Sequence, residues 1–348
     1  MPEKMKAALW NGNGAMELTE IDRPPVGPDD ALVRVRAEGI CGSDLLIYTE
    51  KTDRETIPAG HEIAGEIVEV GERVDTGRIG ERVAVEGIGH GRACFNCYYC
   101  SEGQYFLCEN MAPDTGGGYA EFVSRKAAGM YRLTGDMNWE EGALVEPFAV
   151  TIHAMRRGGL RGGETVAVLG SGTIGLCATS AARTMGAGTI VATARYPQQA
   201  DMARRMGADI VVGTEGDELK DALAEISDGV GADLVVETVG GRSDEVMNQA
   251  VDVTRKQGRI VTTGNFHRPV KIDWFQAILN EISIIWSATY ATMDGRNAFE
   301  IAIEEMGAGR ADLKPLVTHR VTLDDIQSGF ETSYDKTTGA IKVQVVTA

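Results

Sequence analysis

The stretch VAVLGSGTIGL, residues 166–176, decides how the rest of the chain is read. Four apolar residues run into Gly170, Gly172 and Gly175, and a helical pattern follows. A buried strand that turns through G-x-G-x-x-G and opens a helix has the form of a dinucleotide-binding turn. The first glycine permits the tight turn, the second lets the backbone approach a pyrophosphate, and the third lets helix pack on strand. The helix start then offers free N–H groups and a positive dipole end to the phosphates. Ser171, Thr173 and Ile174 belong to the same turn. Gly264, closing GRIVTTG (258–264), is placed with them as a cofactor-binding position. Alone, the pattern also fits an ordinary strand–turn–helix, so the flanking sequence decides.

That sequence alternates. TIVATA (189–194), ADIVVG (208–213), ADLVVETVG (232–240) and GRIVTTG read as strands. TIGLCATSAARTMG (173–186), QQADMARRMG (198–207), ELKDALAEISDG (218–229) and SDEVMNQAVDVTRKQG (243–258) read as helices between them. Strands alternating with helices mean βαβ units on a parallel sheet, here a doubly wound Rossmann domain over 151–288. Residues 1–150 read differently. ALVRVRAEGI (31–40), EIAGEIVEVG (62–71) and ERVAVEGIG (81–89) show short apolar alternation broken by glycine, which predicts a mostly β domain. The tail, 289–348, is assigned back to that first domain. The expected fold class is α/β multidomain, and 348 residues are too many for one ordinary core.

The end of the second strand should choose the cofactor. An acid there would hold both ribose hydroxyls of NAD. Its expected place falls on Ala194, with Arg195 and Tyr196 following. Alanine removes repulsion, a guanidinium grips a 2′-phosphate in a fork, and tyrosine adds a stacking face. NADP is therefore expected, with NAD as the alternative.

The net charge of −17 repels phosphate backbones and anionic lipid, which argues against nucleic acid and membrane partners. No apolar run approaches the roughly 18 residues of a membrane span. MPEKMKAALW lacks a signal-like apolar core, so a cytoplasmic location is expected. In a reducing compartment, six cysteines argue for metal or thiol roles.

Four of them fall in GHGRACFNCYYCSEGQYFLCEN (89–110). Cys94, Cys97, Cys100 and Cys108 form C-x2-C-x2-C-x7-C. Four thiolates suit a closed tetrahedral zinc, with a redox dithiol as the rival reading. Such a site pins a lobe with little core of its own. Cys177 reads as a small buried residue of its helix. EGICGSDLLIY (38–48) contributes Cys41, PAGHEIAGEIVEVG (58–71) His61 and Glu62, and ALVEPFAVTIHA (143–154) Glu146. Thiolate, imidazole and carboxylate make a mixed zinc set, but spacing alone does not tie them together.

These segments, in this order with VLGSGTIGL, resemble the zinc-containing medium-chain dehydrogenase family over essentially the whole length, above all its sorbitol (polyol) and threonine dehydrogenase-like branches. The resemblance implies a GroES-like catalytic domain with a Rossmann domain inserted before its C-terminal end, and two zinc ions per chain. It implies that Cys41 and His61 bind a catalytic zinc, with Glu62 an adjacent ligand and Glu146 in the third-ligand segment. Ser43 matches the hydroxyl residue beside the substrate alcohol, and the four cysteines match a structural zinc. The implied activity is a zinc-dependent hydride transfer between an alcohol, or its ketone, and a nicotinamide cofactor. Relatives are homodimers or homotetramers, and either state is expected here.

Three positions depart from the sorbitol pattern. Leu46 stands where many relatives carry a relay histidine, Ile47 where they place an aromatic, with Tyr48 next, and Thr289 where they carry an arginine beside the tyrosine retained here as Tyr290. The loss of donors predicts a pocket less polar than a sorbitol site. A secondary, cyclic or polyol-type alcohol with NADP(H) is the expected chemistry. An NAD-dependent sugar, polyol or threonine-type dehydrogenase and a non-catalytic cofactor-binding protein are the alternatives. His90, His153, His267 and His319 are read as structural.

Overall fold

A computed structural model describes residues 3–48, 50 and 52–347. It divides into two compact units. One comprises Met1–Glu146, Ala291–Ala308 and Leu313–Ala348; the other comprises Pro147–Tyr290 and Gly309–Asp312.

The first unit opens with β1 (Lys4–Trp10) and β2 (Met16–Asp22), an antiparallel pair. β3 (Asp30–Gly39) then pairs antiparallel with β4 (Glu62–Val70) and with β6 (Phe122–Lys126), while β5 (Arg82–Glu86) joins β4 to β7 (Met130–Arg132). Their inward positions, Val33, Val35, Ile63, Ile67, Val83, Val85 and Val123, form one core. Burying each such side chain contributes about 1.5–3 kcal/mol. The cysteine lobe interrupts this sheet with one short helix, α1 (Tyr98–Ser101). The long helix α2 (Trp139–Arg157) follows β7, with Glu140 and Glu141 in its first turn and Arg156 and Arg157 in its last, which suits the helix dipole.

The second unit is a six-stranded parallel sheet. Its elements run β8 (Thr165–Leu169), α3 (Thr173–Thr184), β9 (Thr189–Thr193), α4 (Pro197–Arg205), β10 (Ile210–Val212), α5 (Glu218–Ile226), β11 (Ala232–Glu237), α6 (Glu245–Val253), β12 (Thr254–Thr262), α7 (Trp274–Leu279) and β13 (Ser283–Trp286). The strand order is β10-β9-β8-β11-β12-β13. Chain order therefore reverses between β8 and β11, the switch point where such sheets bind ligands at their carboxyl ends. Val166, Ala167, Val168 and Leu169 are all buried, as a central parallel strand requires.

One expected helix is shorter than its sequence suggests. The helix predicted over 243–258 stops at Val253, and Thr254–Gly258 belong to β12. Two β-branched residues end the helix, the Thr254 hydroxyl donates back to the Ala250 carbonyl, and Thr254 pairs with Ala232 of β11. Gln257, at φ 57°, lies in the irregular stretch where the β11–β12 register shifts.

The tail returns to the first unit with a small hairpin, β14 (Thr292–Met293) and β15 (Arg296–Asn297), then α8 (Ala298–Gly307), capped by an Asn297–Glu300 box. β16 (Val317–Val321), α9 (Ile326–Tyr334) and β17 (Lys342–Val346) complete the large sheet, in the order β16-β17-β3-β4-β5-β7. A second core of Trp10, Ile40, Leu45, Tyr119, Phe330 and Val343 backs the turn that carries Cys41. Among the described residues, no helix is long and apolar enough to cross a membrane.

Candidate functional site

Cys41 lies two residues beyond the end of β3, in a turn closed by Asp44, whose carboxylate accepts the Cys41 N–H at 2.9 Å. Gly60, at φ 96°, delivers His61 to the start of β4. Glu62, its first residue, lies opposite Gly39 of β3 and Glu86 of β5. A Cβ on Gly39 would meet the Glu62 carboxylate at 1.8 Å, so the glycine is the space in which that side chain lies. The fold thereby gathers one donor atom each from Cys41, His61 and Glu62 within 4.8 Å of one another.

The surroundings are strongly anionic. Asp44 lies 3.9 Å from the His61 Nδ1. Burial opposes a charged His61, yet Cys41, Asp44 and Glu146 outweigh it and lift its pKa well above the ordinary value. A site that draws a proton onto a half-buried imidazole is one that favours a cation. Thiol, imidazole and carboxylate are also zinc's own ligand types, so the residues fit that metal. Glu146, in α2, does not join the three-donor set. It is buried nearby, and burial together with Glu62 pushes its pKa to about 7 against the opposing pull of His61 and Lys342. Ser43 is half-buried in the turn after Cys41, and Leu46, Ile47 and Tyr48 occupy the 3-10 turn Asp44–Tyr48.

The second metal-type cluster is the lobe. Cys94, Cys97, Cys100 and Cys108 bring their sulfurs within 4.8 Å of one another. The Cys94 N–H donates to the Cys108 sulfur at 3.3 Å. Backbone N–H groups, from Asn96 at Cys94 and from Glu109 and Cys100 at Cys97, lower both thiols, Cys94 to about 6. Burial pushes Cys100 up to about 12. N–H groups aimed at sulfur stabilise thiolates, so this cluster too fits a zinc.

In the second unit the three motif glycines differ in what surrounds them. Gly170 adopts φ 96°. A Cβ on Gly175 would meet the Gly170 carbonyl oxygen at 1.9 Å, so helix and turn are in direct contact there. A Cβ on Gly172 would meet nothing within 4 Å. The open position is the one where a pyrophosphate needs the backbone bare, so the turn fits a dinucleotide. The Gly170 N–H and the Ser171 hydroxyl both bond Thr193, tying the turn to the end of β9. Thr173 and Ile174 open α3. Ala194 is buried just beyond β9, Arg195 is exposed, and Tyr196 precedes α4. Gly264 differs from Gly172: a Cβ there would meet Gly240 N at 2.4 Å and the Glu237 carboxylate at 2.6 Å, so its backbone lies in close contact with the Glu237–Gly240 turn. Thr289 holds a left-handed φ of 51°, a strained setting for a β-branched residue, and Tyr290 beside it is buried.

Sequence reasoning missed three residues at the first site. Lys342 of β17 is fully buried and donates to both Glu62 oxygens, at 2.6 and 2.7 Å, and to the Ile40 carbonyl at 3.1 Å. Glu38 of β3 is fully buried and accepts the Glu62 N–H at 3.0 Å; burial raises its pKa well above the usual carboxyl value. Asp44 binds the turn of Cys41. The signal for Lys342 was a lone charge in the otherwise uncharged IKVQVV; Glu38, in a strand that also carries Asp30, Arg34 and Arg36, gave none.

A mixed thiolate–imidazole–carboxylate set in one unit and a bare-backbone phosphate turn in the other define a metal-dependent, dinucleotide-linked oxidoreductase. Comparison with known proteins gives the family. Residues 27–135 match the alcohol dehydrogenase GroES-like domain and residues 173–307 the zinc-binding dehydrogenase domain. Sorbitol dehydrogenase of Bacillus subtilis (strain 168) is 32% identical, over 99% of this chain and 98% of its own. Of solved structures, a zinc-binding dehydrogenase of Sinorhizobium meliloti 1021 bound to NADP has a TM-score of 0.87 at 27% identity, covering 99% of this chain and 100% of that one. An alcohol dehydrogenase of E. coli CFT073 complexed with NADH has a TM-score of 0.88 at 25% identity, covering 99% of each chain. The chain belongs to the zinc-containing medium-chain dehydrogenase family. It is an oxidoreductase acting on CH–OH donors, with zinc and a nicotinamide cofactor.

Proposed function

We propose that the protein oxidises a secondary, cyclic or polyol-type alcohol with NADP, and reduces the matching ketone in reverse. The convergence of Cys41, His61 and Glu62 donor atoms within 4.8 Å carries the reading. Cys41 and His61 would hold the catalytic zinc, with Glu62 or Glu146 as the carboxylate ligand. When bound, zinc supplies a Lewis acid that acidifies an alcohol hydroxyl, and the nicotinamide supplies the hydride acceptor. Asp44 holds the turn of Cys41 and faces the ring of His61. Lys342 neutralises Glu62 and bonds both its oxygens, so it would compete with a metal for that carboxylate. Ser43, two residues after Cys41, offers a hydroxyl that would relay the substrate proton, accepting it while passing its own to water or a cofactor hydroxyl. The four-cysteine lobe would hold a second zinc that takes no part in the reaction.

Cofactor preference rests on Ala194 and Arg195. The exposed guanidinium would fork onto a 2′-phosphate, and alanine leaves the place of the NAD-selecting acid empty. Leu46 and Ile47, apolar and half-buried after Cys41, favour a less hydroxylated substrate than sorbitol. Thr289 offers one hydroxyl where an arginine would offer five donors.

The test is reduced-nicotinamide formation by zinc-loaded protein, with NADP and NAD each offered against polyols, cyclic alcohols and simple secondary alcohols. NADP-linked turnover of secondary or cyclic alcohols is expected, and the Ala194→Asp/Arg195→Ala variant should shift preference towards NAD. NAD-linked oxidation of sorbitol-like polyols by the unaltered protein would replace this reading with the ordinary polyol one.

A further inference from the structure

The two metal-type clusters of the first unit are joined by a continuous strap, residues 112–119, that neither cluster needs for its own ligands. It begins where the chain leaves the cysteine lobe. The Ala112 N–H donates to the Arg92 carbonyl at 2.8 Å, and the Arg92 Nε donates back to the Ala112 carbonyl at 2.9 Å. Arg92 also pairs with Asp114, at 2.8 Å. The other Asp114 oxygen takes Arg125 of β6, again at 2.8 Å. Arg125 is almost fully buried, and its remaining donors go to the carbonyls of Gly87, Ser124 and Gly116 and to the Thr115 hydroxyl. A buried guanidinium with every contact on backbone or strap is a latch, since its burial is tolerated only when it is fully paired.

Past the latch the strap runs against the turn that delivers His61. Gly117 N donates to the Pro58 carbonyl at 2.6 Å, Gly118 N to Gly60 at 3.2 Å, and Tyr119 N to Ala59 at 3.0 Å. No side chain fits at either glycine of this run. A Cβ on Gly117 would meet the Gly60 oxygen at 2.0 Å, and one on Gly118 would meet the Glu38 carboxylate at 1.9 Å. The strap ends in Tyr119, fully buried and edge-on to Phe330, and the Tyr119 hydroxyl donates to the Asp44 carboxylate at 2.6 Å. That same Asp44 oxygen accepts the Cys41 N–H, and its other oxygen faces His61.

We propose that the 112–119 strap positions Cys41 and His61 from the cysteine lobe, with Tyr119 and the Asp114–Arg125 latch as its positioning residues. The lobe then does more than pin itself: it fixes the far end of the element that sets the geometry of the other metal's ligands. This rests on the reading that Cys41 and His61 hold zinc.

Titration of metal-free protein with Zn2+ against a chromophoric chelator, and the visible spectrum of the Co2+-substituted protein, test it without turnover. The unaltered protein should take two ions and Cys41→Ser one. Tyr119→Phe keeps the ring and removes only its hydroxyl, and Asp114→Asn alters the latch while touching neither ligand set. Both should leave the four-cysteine site at full affinity, weaken the second ion about 10- to 100-fold and shift its cobalt bands. Unchanged affinity and bands in Tyr119→Phe would overturn the strap, and that variant decides alone should Asp114→Asn fail to fold. A Cys41→Ser protein that still binds two ions would overturn the zinc reading itself, and the strap with it.

Discussion

Replacing Lys342 with methionine isolates the buried pair behind the candidate zinc. The side chains of Lys342 and Glu62 are 2% and 1% exposed, and the ammonium bonds both carboxylate oxygens and the Ile40 carbonyl. Methionine keeps most of the volume and removes the charge, so Glu62 loses the cation that bonds both its oxygens, in the place where the fold has buried it. Breaking a buried pair from one side costs about 3–5 kcal/mol, most of it from the charge left behind. For a body of this size each kcal/mol moves Tm by roughly 2–4 °C, so a fall of about 6–20 °C is expected. Removing both charges should recover most of it, because a buried pair replaced by neutral groups of similar volume is often neutral. The assay is thermal and urea unfolding of chelator-treated protein, since bound metal would add its own stabilisation. Lys342→Met and Lys342→Met/Glu62→Gln are compared with the unaltered chain. A loss below about 1 kcal/mol in the single variant, or a double variant no more stable than the single, would refute the claim that this pair is buried and mutually dependent.

The remaining predictions concern other sites. Glu86 is buried and pushed up to about 8, so the folded state keeps a proton that the unfolded chain releases near the ordinary carboxyl pKa. The unfolded state binds fewer protons in between, so this stabilisation is complete at low pH and fades as pH rises to about 8. Glu86→Gln should remove it, and the stability difference between unaltered protein and variant should fall by up to about 1.4 kcal/mol per pH unit over that window, read by urea unfolding at pH 5, 6, 7 and 8. Gly172→Ala should fold normally, because its Cβ meets nothing within 4 Å, yet lose at least tenfold in cofactor affinity by fluorescence titration. Gly175→Ala should lose stability instead, since its Cβ would meet a carbonyl oxygen at 1.9 Å. Trp274, Phe275, Ile278 and Leu279 on α7 and Trp286 on the edge strand β13 are all exposed, an apolar patch of the kind that marks an interface. Sedimentation should show self-association, and Phe275→Glu/Ile278→Glu should reduce it; a monomeric unaltered protein would contradict this.

The parts legible in the sequence were those whose physics is local. A strand into three spaced glycines into a helix has a period and a punctuation, so VAVLGSGTIGL announced its turn, and the alternating elements around it announced a parallel sheet. Four cysteines within fifteen residues announced a cluster for the same reason. The helix end at Val253 was not legible, because Thr254–Gly258 join a strand through pairing with β11, a contact that no local propensity encodes. The candidate zinc set stands between these cases. The residue types of Cys41, His61 and Glu62 were visible, but their convergence depends on β3 and β4 lying side by side, and only a family resemblance supplied that beforehand. Lys342 shows the limit most clearly. It comes 280 residues after Glu62, and in sequence it is one lysine in IKVQVV, which alternation alone would assign to a solvent face. The strand is instead buried on both faces, from Lys342 to Val345, and on the Lys342 side the Glu62 carboxylate meets the ammonium. A charge breaking an apolar strand is thus ambiguous by itself. It becomes informative when the chain holds an opposite charge at the start of another strand of the same sheet, as Glu62 does, because two such residues can enter the core only together.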